Sequence, residues 1–321
     1  MSAKSIAYAS RFMILPVLAV AFVAMPILGS GSAVDSWLPH WDTILMIATL
    51  IAVERLYKYK HPISQKAVLA RDLTAAFINM FITGAVVGFI VMPILIFFTQ
   101  HFFGRKFVFA SSQQLGPIWV QVATMLLLVS FFRYWMHRLQ HSNEFLWKFH
   151  SYHHRVTQLR ILNSFTSSPI DFTLRNVLVF VVLGVIGFDP LAILIVVPVL
   201  NVWGPLSHCG GDVKSGWLSY LFATPEVHRW HHTAEVPEGH RYSINYCVEF
   251  SFWDMLFGTF YLPRKDGQPL QPMRIGHPGG LPDESSYLKL LLVPLGLYGV
   301  VPWLKRLLRI PNSPEGPQPA E

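Results

Sequence analysis

Charge is scarce in this chain. Lys, Arg, Asp and Glu make up only 13% of its 321 residues, against 52% hydrophobic residues, a balance that excludes an ordinary soluble domain and a disordered one and points first to a membrane protein. Cysteine is scarcer still. Cys209 and Cys247 are the two, and without any pair spacing they indicate neither a disulfide framework nor a thiolate metal site. The sequence contains no Cys-x-x-Cys-His and no Gly-x-Gly-x-x-Gly after a strand, so no fused haem or flavin module is expected. It also lacks an internal repeat of 20 to 50 residues. The formal net charge of +7 comes without an aromatic-and-basic nucleic-acid motif. Nucleic acid is therefore not expected as a partner, and membrane topology and anionic headgroups explain the excess of base.

What the chain has in quantity is long apolar runs. Phe12–Leu28, Thr43–Val53, Leu73–Phe98, Ile118–Phe132 and Phe172–Leu206 approach, match or exceed the roughly 20 residues that cross a bilayer. The last is long enough for a helical hairpin, with Gly187-Phe188-Asp189-Pro190 as its turn. The first is read as a retained span, because its seventeen residues exceed the usual signal-peptide core of roughly 7 to 15. The loop with Asp35 and Asp42 is expected outside. That with Arg55, Lys58, Lys60, Lys66 and Arg71 is expected inside, because cytoplasmic loops carry the basic excess. Arg105 and Lys106 run mildly against this topology. The expectation is an all-α, multi-pass integral membrane protein, a transmembrane bundle with a cytoplasmic cap. Its membrane would be the inner membrane of a bacterium or the endoplasmic reticulum of a eukaryote.

The histidines are unevenly placed. Five fall within eighteen residues, as His137-Arg-Leu-Gln-His141 and His150-Ser-Tyr-His153-His154, and His228-Arg-Trp-His231-His232 repeats the second spacing. Residues three and four apart share a helix face, so each cluster is expected to send its imidazoles toward a common point. Ionisable groups beside a bilayer are costly enough to imply function. Imidazole suits iron, copper, zinc and nickel, and eight clustered ligands exceed the needs of one four-coordinate ion, so two metals are expected. His208, at the end of the apolar hairpin, is a ninth candidate, and His240, eight residues after the third box, a weaker one. His40, His61, His101 and His277 stand alone and read as ordinary interfacial or surface residues.

The acidic residues Glu144, Asp171, Glu226, Glu249 and Asp254 are candidates to orient ligating imidazoles, or equally to cap helices or pair with Arg138, Arg155 or Arg229. Asn163 and Asn245 are candidates for polar contacts at the metal site or with a substrate headgroup. On these residues alone, an oxidative di-metal enzyme, a metal-dependent membrane hydrolase using a base such as Glu226, and a non-catalytic metal-binding membrane protein all stay open.

The run His137 to His141, Leu146-Trp-Lys-Phe-His150-Ser-Tyr-His153-His154, Thr224-Pro-Glu-Val-His228-Arg-Trp-His231-His232 and Phe252-Trp-Asp-Met-Leu-Phe-Gly-Thr-Phe260 resembles the fatty acid hydroxylase and sterol desaturase superfamily over roughly residues 117 to 262. That resemblance implies a membrane di-iron enzyme in which the eight box histidines are ligands and His208 is the isolated one between the second and third boxes. It further implies O2 as co-substrate, a membrane lipid such as a fatty acyl chain or sterol as substrate, and hydroxylation, or desaturation by removal of a second hydrogen. Electrons would come from a separate cytochrome- or ferredoxin-like protein, docked on a basic rim of Lys148, Arg155, Arg160 and Arg229. Two departures are Ser168-Pro169-Ile170-Asp171 in place of a His-Pro pair before an acid, and Asn245-Tyr246-Cys247 in place of Asn-Tyr-Gly. The implied organisation is N-terminal spans in 1–116, a catalytic domain in 117–262, a loop and membrane-associated helix in 263–310, and a disordered tail in 311–321.

Overall fold

The computed structural model describes residues 48, 49, 51, 52, 54–56, 66–103, 115–280, 287 and 291. The expected span Phe12–Leu28 and the tail 311–321 lie outside the described residues, as do 281–286, 288–290 and 292–310 of the segment expected to hold a membrane-associated helix. What is described is mostly helical. It opens with α1 (Lys66–Phe77), a π-helical stretch Ile78–Thr83, α2 (Gly84–Val86), a second π stretch Val87–Val91 and α3 (Met92–Phe103). The joins at Phe77, Thr83, Val86, Val87 and Met92 stay right-handed helical, so these pieces form one rod. Then come α4 (Ile118–Ser142), α5 (Glu144–His150), α6 (Pro169–Ile186), α7 (Pro190–Ser207), α8 (Pro225–His231) and α9 (Phe252–Leu256), with short 3-10 turns between.

Three of these helical segments are long and apolar enough to cross a membrane: Val68–Leu95, Ile118–Ser142 and Pro190–Ser207. The first buries only 17% of its most apolar window. Phe77, Phe81, Phe89 and Ile90 stand more than half exposed along it, an apolar surface suited to lipid and unsuited to water.

Local signals explain the breaks. Pro117 stands just ahead of α4. Asn143 ends α4 and starts α5, its side chain accepting from the N–H groups of Phe145 and Leu146, as an N-cap does. The hairpin turn falls where the sequence predicts. Gly187 takes the left-handed conformation that ends α6 (φ 76°), Asp189 accepts from Leu191 N–H, and Pro190 opens α7. Gln121 of α4 accepts from Asp189 N–H at 2.8 Å and so ties the turn to its neighbour. Met125 and Val129 of α4 pack with Val179, Phe188, Ala192, Val196 and Leu200 into one buried apolar cluster.

The segment 210–280 is a cap of short helices and loops, as its Gly and Pro content predicts. It also holds a small β element that the all-α expectation omitted. β1 (Arg264–Lys265) pairs antiparallel with β2 (Gln268–Pro269), Arg264 opposite Pro269 and Lys265 opposite Gln268. Asp266 and Gly267, both at positive φ, make the two-residue Asp-Gly turn that such a hairpin favours.

Candidate metal centre

Nine histidines converge at the junction of the helical bundle and the cap. Residues His137, His141, His150, His154 and His231 form one group, and His153, His208, His228 and His232 a second; within each group the nearest ring nitrogens all lie within 4.8 Å of one another. All but the half-buried His141 are buried. The groups adjoin, with the ring of His154 stacked on that of His232 at 4.4 Å.

The sequence boxes do not map one to one onto the groups. His137 and His141, a turn apart on α4, go together, but both His-x-x-His-His boxes are divided: His150 and His154 face one group and His153 the other, while His228 and His232 face the second and His231 the first. Helical geometry requires this. Successive residues on a helix point about 100° apart, so neighbours such as His231 and His232, whose rings stand at 90°, cannot serve one point, whereas residues four apart can. The expectation that each box serves a single centre is corrected accordingly. Each of these two boxes bridges both centres.

The hydrogen bonds around the rings identify which nitrogen is free. Carbonyl oxygens only accept, so a ring nitrogen against one must carry the proton. His137 Nδ1 lies 2.6 Å from Tyr246 O, His153 Nδ1 3.3 Å from Thr166 O, His208 Nδ1 2.7 Å from Gly204 O and His231 Nδ1 2.8 Å from Ile244 O. His150 Nδ1 faces Asp171 Oδ1 at 3.0 Å. In all five the bare Nε2 lone pair turns inward. Yet His137 Nε2 is 3.0 Å from His150 Nε2, and His208 Nε2 is 3.0 Å from His153 Nε2. Two facing lone pairs at that distance repel, and a cation between them turns repulsion into ligation. Imidazole nitrogens about 2.1 Å from a shared ion are roughly 3.0–3.4 Å from each other, which matches. Nε2 of His141 and of His231 is buried without a partner, a state that buried polar atoms avoid, and Nε2 of His228 lies 3.1 Å from Nε2 of both His208 and His232. The donor set therefore fits two metal ions, one per group.

Burial also sets the protonation state. Removal from water, helped by the neighbouring imidazoles, holds His153, His154, His228 and His232 well below the ordinary value of 6.5. His208 and His231 are pulled down to about 3, although Gly204 O and Ile244 O oppose the shift. Neutral imidazole is the form that binds metal.

Among the other candidates, Asp171 is the one acid in direct contact with a clustered histidine. Buried at the start of α6, it meets His150 while accepting from Gln140 Nε2 at 2.6 Å and pairing with Arg175 at 3.0 Å. Asp254 acts one step further out, accepting from the N–H groups of Tyr246 and Cys247 and from Thr259 Oγ1, and so fixes the segment whose Tyr246 carbonyl holds His137. Asn245, at φ 53°, clamps the same segment by donating to Val227 O and Tyr261 O and accepting from Tyr261 N–H. Asn163 accepts from Arg160 N–H and donates to Asp72. Both asparagines thus serve the scaffold. His240 joins neither group and rests against Tyr261. Glu144 is exposed, Glu249 pairs with Arg133, and Glu226 accepts from Ser215 N–H at 2.9 Å.

The basic rim needs correction. Arg155 and Arg229 are 5% and 2% exposed. Arg155 lies over the Tyr152 ring, and Arg229 donates to Cys209 O and Gly211 O. Guanidinium bonds to the cap carbonyls draw Arg229 inward, and the Tyr152 ring covers Arg155.

A support that sequence reading missed comes from the π-bulged rod. Asn79, fully buried where the first π stretch begins, donates to Phe165 O at 2.8 Å and Ser167 O at 3.0 Å, bracketing the Thr166 whose carbonyl holds His153. Thr166 Oγ1 in turn donates to Asp72. The available signal was a lone amide inside an apolar run, which rarely lacks a role; π segments of this kind gather near functional sites.

Next to the histidines a cavity of about 280 Å³ extends between the spans. His137 from one group and His153, His208 and His228 from the other line it together with Met80, Val87, Phe172 and Leu200. The cationic Arg133 and Arg175 at its wall are each held by a carboxylate, Glu249 and Asp171.

Bundle, paired histidine groups and adjoining cavity define a mostly helical protein with three helices of membrane-spanning length and apolarity and two histidine groups suited to hold metal ions. Residues 122–259 match the fatty acid hydroxylase family. An ornithine lipid hydroxylase of Rhizobium tropici is 35% identical over 148 residues, 46% of this chain and 44% of that protein. A Delta(7)-sterol 5(6)-desaturase of Gibberella zeae is 22% identical over 62% of each chain, and a cholesterol 25-hydroxylase-like protein of Danio rerio is 25% identical over 68% of this chain and 84% of that one. The matches span less than half of the first relative and less than two thirds of the second. No solved structure matches. Residues 122–259, with the three histidine boxes in order, carry the similarity to the fatty acid hydroxylase and sterol desaturase superfamily.

Proposed function

We propose that this chain is a membrane-bound di-iron oxidoreductase that uses O2 to hydroxylate an unactivated carbon of a lipid acyl chain. The observation that carries the proposal is the cavity between the spans, lined by histidines of both groups together with Met80, Val87, Phe172 and Leu200. Iron is preferred to zinc because an apolar chain offers no bond to hydrolyse, and zinc has no redox chemistry. Two bound irons would supply O2 activation, while this chain contributes ligands, position and exclusion of water. The balance is C–H plus O2, two electrons and two protons to C–OH and water, the electrons coming from a separate donor protein. Met80, Val87, Phe172 and Leu200 hold the chain by apolar contact. Asp171, through His150, and the Tyr246, Thr166, Gly204 and Ile244 carbonyls fix the imidazoles so that little reorganisation is left to the reaction.

Similarity to the ornithine lipid hydroxylase favours a polar-headed acyl lipid and hydroxylation over desaturation. We further infer a multi-pass chain whose metal-bearing cap faces the cytoplasm, on the basic-loop argument, with residues 117–262 as its catalytic domain. The hydrolase reading gains no support, since Glu226 does not line the cavity beside the histidines. His153→Ala and His231→Ala, one from each group, are expected to abolish O2-dependent incorporation of oxygen into lipid extracts, read by mass spectrometry. Product formation by either variant at the parent rate would refute the proposal.

A further inference from the structure

A second and larger cavity, of about 610 Å³, lies on the other side of α8. None of the nine histidines lines it. Its walls carry four guanidinium groups, Arg55, Arg160, Arg229 and Arg274, against one carboxylate, Glu54. Glu54 accepts from Gly210 N–H at 2.8 Å and interacts electrostatically with Arg160 and Arg229, Arg229 is also held by the carbonyls of Cys209 and Gly211, and four guanidinium groups to one carboxylate leave the lining net positive. Part of the lining is apolar. Leu69 and Leu73, four residues apart on one face of α1 and 39% and 52% exposed, stand at the start of the Val68–Leu95 span.

That pairing of a cationic bowl with an apolar stripe entering a span is the chemistry of an anionic amphiphile. We propose that this cavity binds an anionic phospholipid, its phosphate among Arg55, Arg160 and Arg274 and its acyl chains along Leu69 and Leu73. Guanidinium groups match phosphate geometry, and the space equals roughly twenty water volumes at about 30 Å³ each, enough for a headgroup. The site is distinct from the proposed reaction cavity. Leu73 and Met80, which line one cavity each, are seven residues apart on the same rod, roughly 10 Å along its axis, and the two linings share no residue. An acidic protein is a poorer match, because the arginines line a concavity and not a broad surface.

The test uses the full chain with its metals, purified in a mild detergent, and native mass spectrometry of retained lipid after addition of phosphatidylglycerol or phosphatidylcholine. Phosphatidylglycerol should be retained in clear preference. The double variant Arg55→Gln/Arg274→Gln, both exposed and outside the histidine groups, should weaken that retention about 30-fold at roughly fivefold per guanidinium, with metal content and melting temperature unchanged. If the double variant melts early, Arg274→Gln alone should show the fivefold loss. Glycerol phosphate at millimolar concentration should not displace the lipid. Equal retention of the two lipids, parent-like retention by a folded variant, or displacement by glycerol phosphate would each overturn the proposal, the last by assigning the site to a soluble anion.

Discussion

Replacing Asp171 by Asn keeps the shape of the side chain and removes its charge, and the structure states what that charge touches. Oδ1 accepts from Gln140 Nε2 at 2.6 Å and faces His150 Nδ1 at 3.0 Å, and Oδ2 pairs with Arg175 at 3.0 Å. Charge-assisted hydrogen bonds are roughly twice as strong as neutral ones, so the Asn variant weakens the contact that makes His150 a strong ligand. Loss of such an outer partner costs about 10- to 100-fold in metal affinity, or roughly 1.4–2.8 kcal/mol. The effect should fall on one group only. His150 belongs to the five-histidine group, whereas His153 of the other is oriented by the Thr166 carbonyl. Breaking a buried pair usually costs about 3–5 kcal/mol, but Arg175 is 23% exposed and water offsets part of this, leaving about 1–3 kcal/mol of stability. Competitive chelator titration should resolve two sites in the parent and, in Asp171→Asn, one weakened and one unchanged. Equal weakening of both, or of neither, would refute the reasoning.

Asn79→Ala should produce the mirror image: Phe165 O and Ser167 O each keep another partner, Ser167 N–H and Tyr287 OH respectively, so about 1–3 kcal/mol of stability is lost at roughly 0.5–1.5 per hydrogen bond, and chelator titration should now weaken the four-histidine site alone. Acid should strip the metals. Because the folded-state values of His208 and His231 lie near 3 and those of His153, His154, His228 and His232 well below 6.5, the unfolded chain binds protons first. Stability present above about pH 6.5 should therefore be lost progressively as pH falls toward 3; a melting temperature independent of pH across that window would contradict the assignment.

The nine histidines were legible because their spacing is a one-dimensional signature, and so was the Gly187–Pro190 turn. Their division between two centres was not, because it depends on the roughly 100° between successive residues and on where α5 gives way to a 3-10 turn at His153. Carbonyl groups that set the tautomers, such as those of Tyr246, Thr166, Gly204 and Ile244, carry no side-chain signal at all. Asn163 and Asn245 read in the sequence as contacts for the metal site or a substrate headgroup, whereas the structure engages both in scaffold hydrogen bonds; a side chain that clamps a loop and one that faces a ligand look alike in sequence. Arg155 and Arg229 were read as surface because Arg is usually exposed; here Tyr152 and the cap carbonyls hold them inside. The small hairpin at Asp266-Gly267 has a turn signature, yet two-residue strands are too short to show alternation.

The central claim is that the two histidine groups hold a redox-active metal pair. Metal analysis of the detergent-purified protein from iron-supplemented cells, with Mössbauer spectra before and after reduction and exposure to O2, tests it most directly. The account predicts about two irons per chain, one per histidine group, with a coupled signal that changes on oxygenation. Stable zinc in both groups despite abundant iron, with no response to O2, would contradict it.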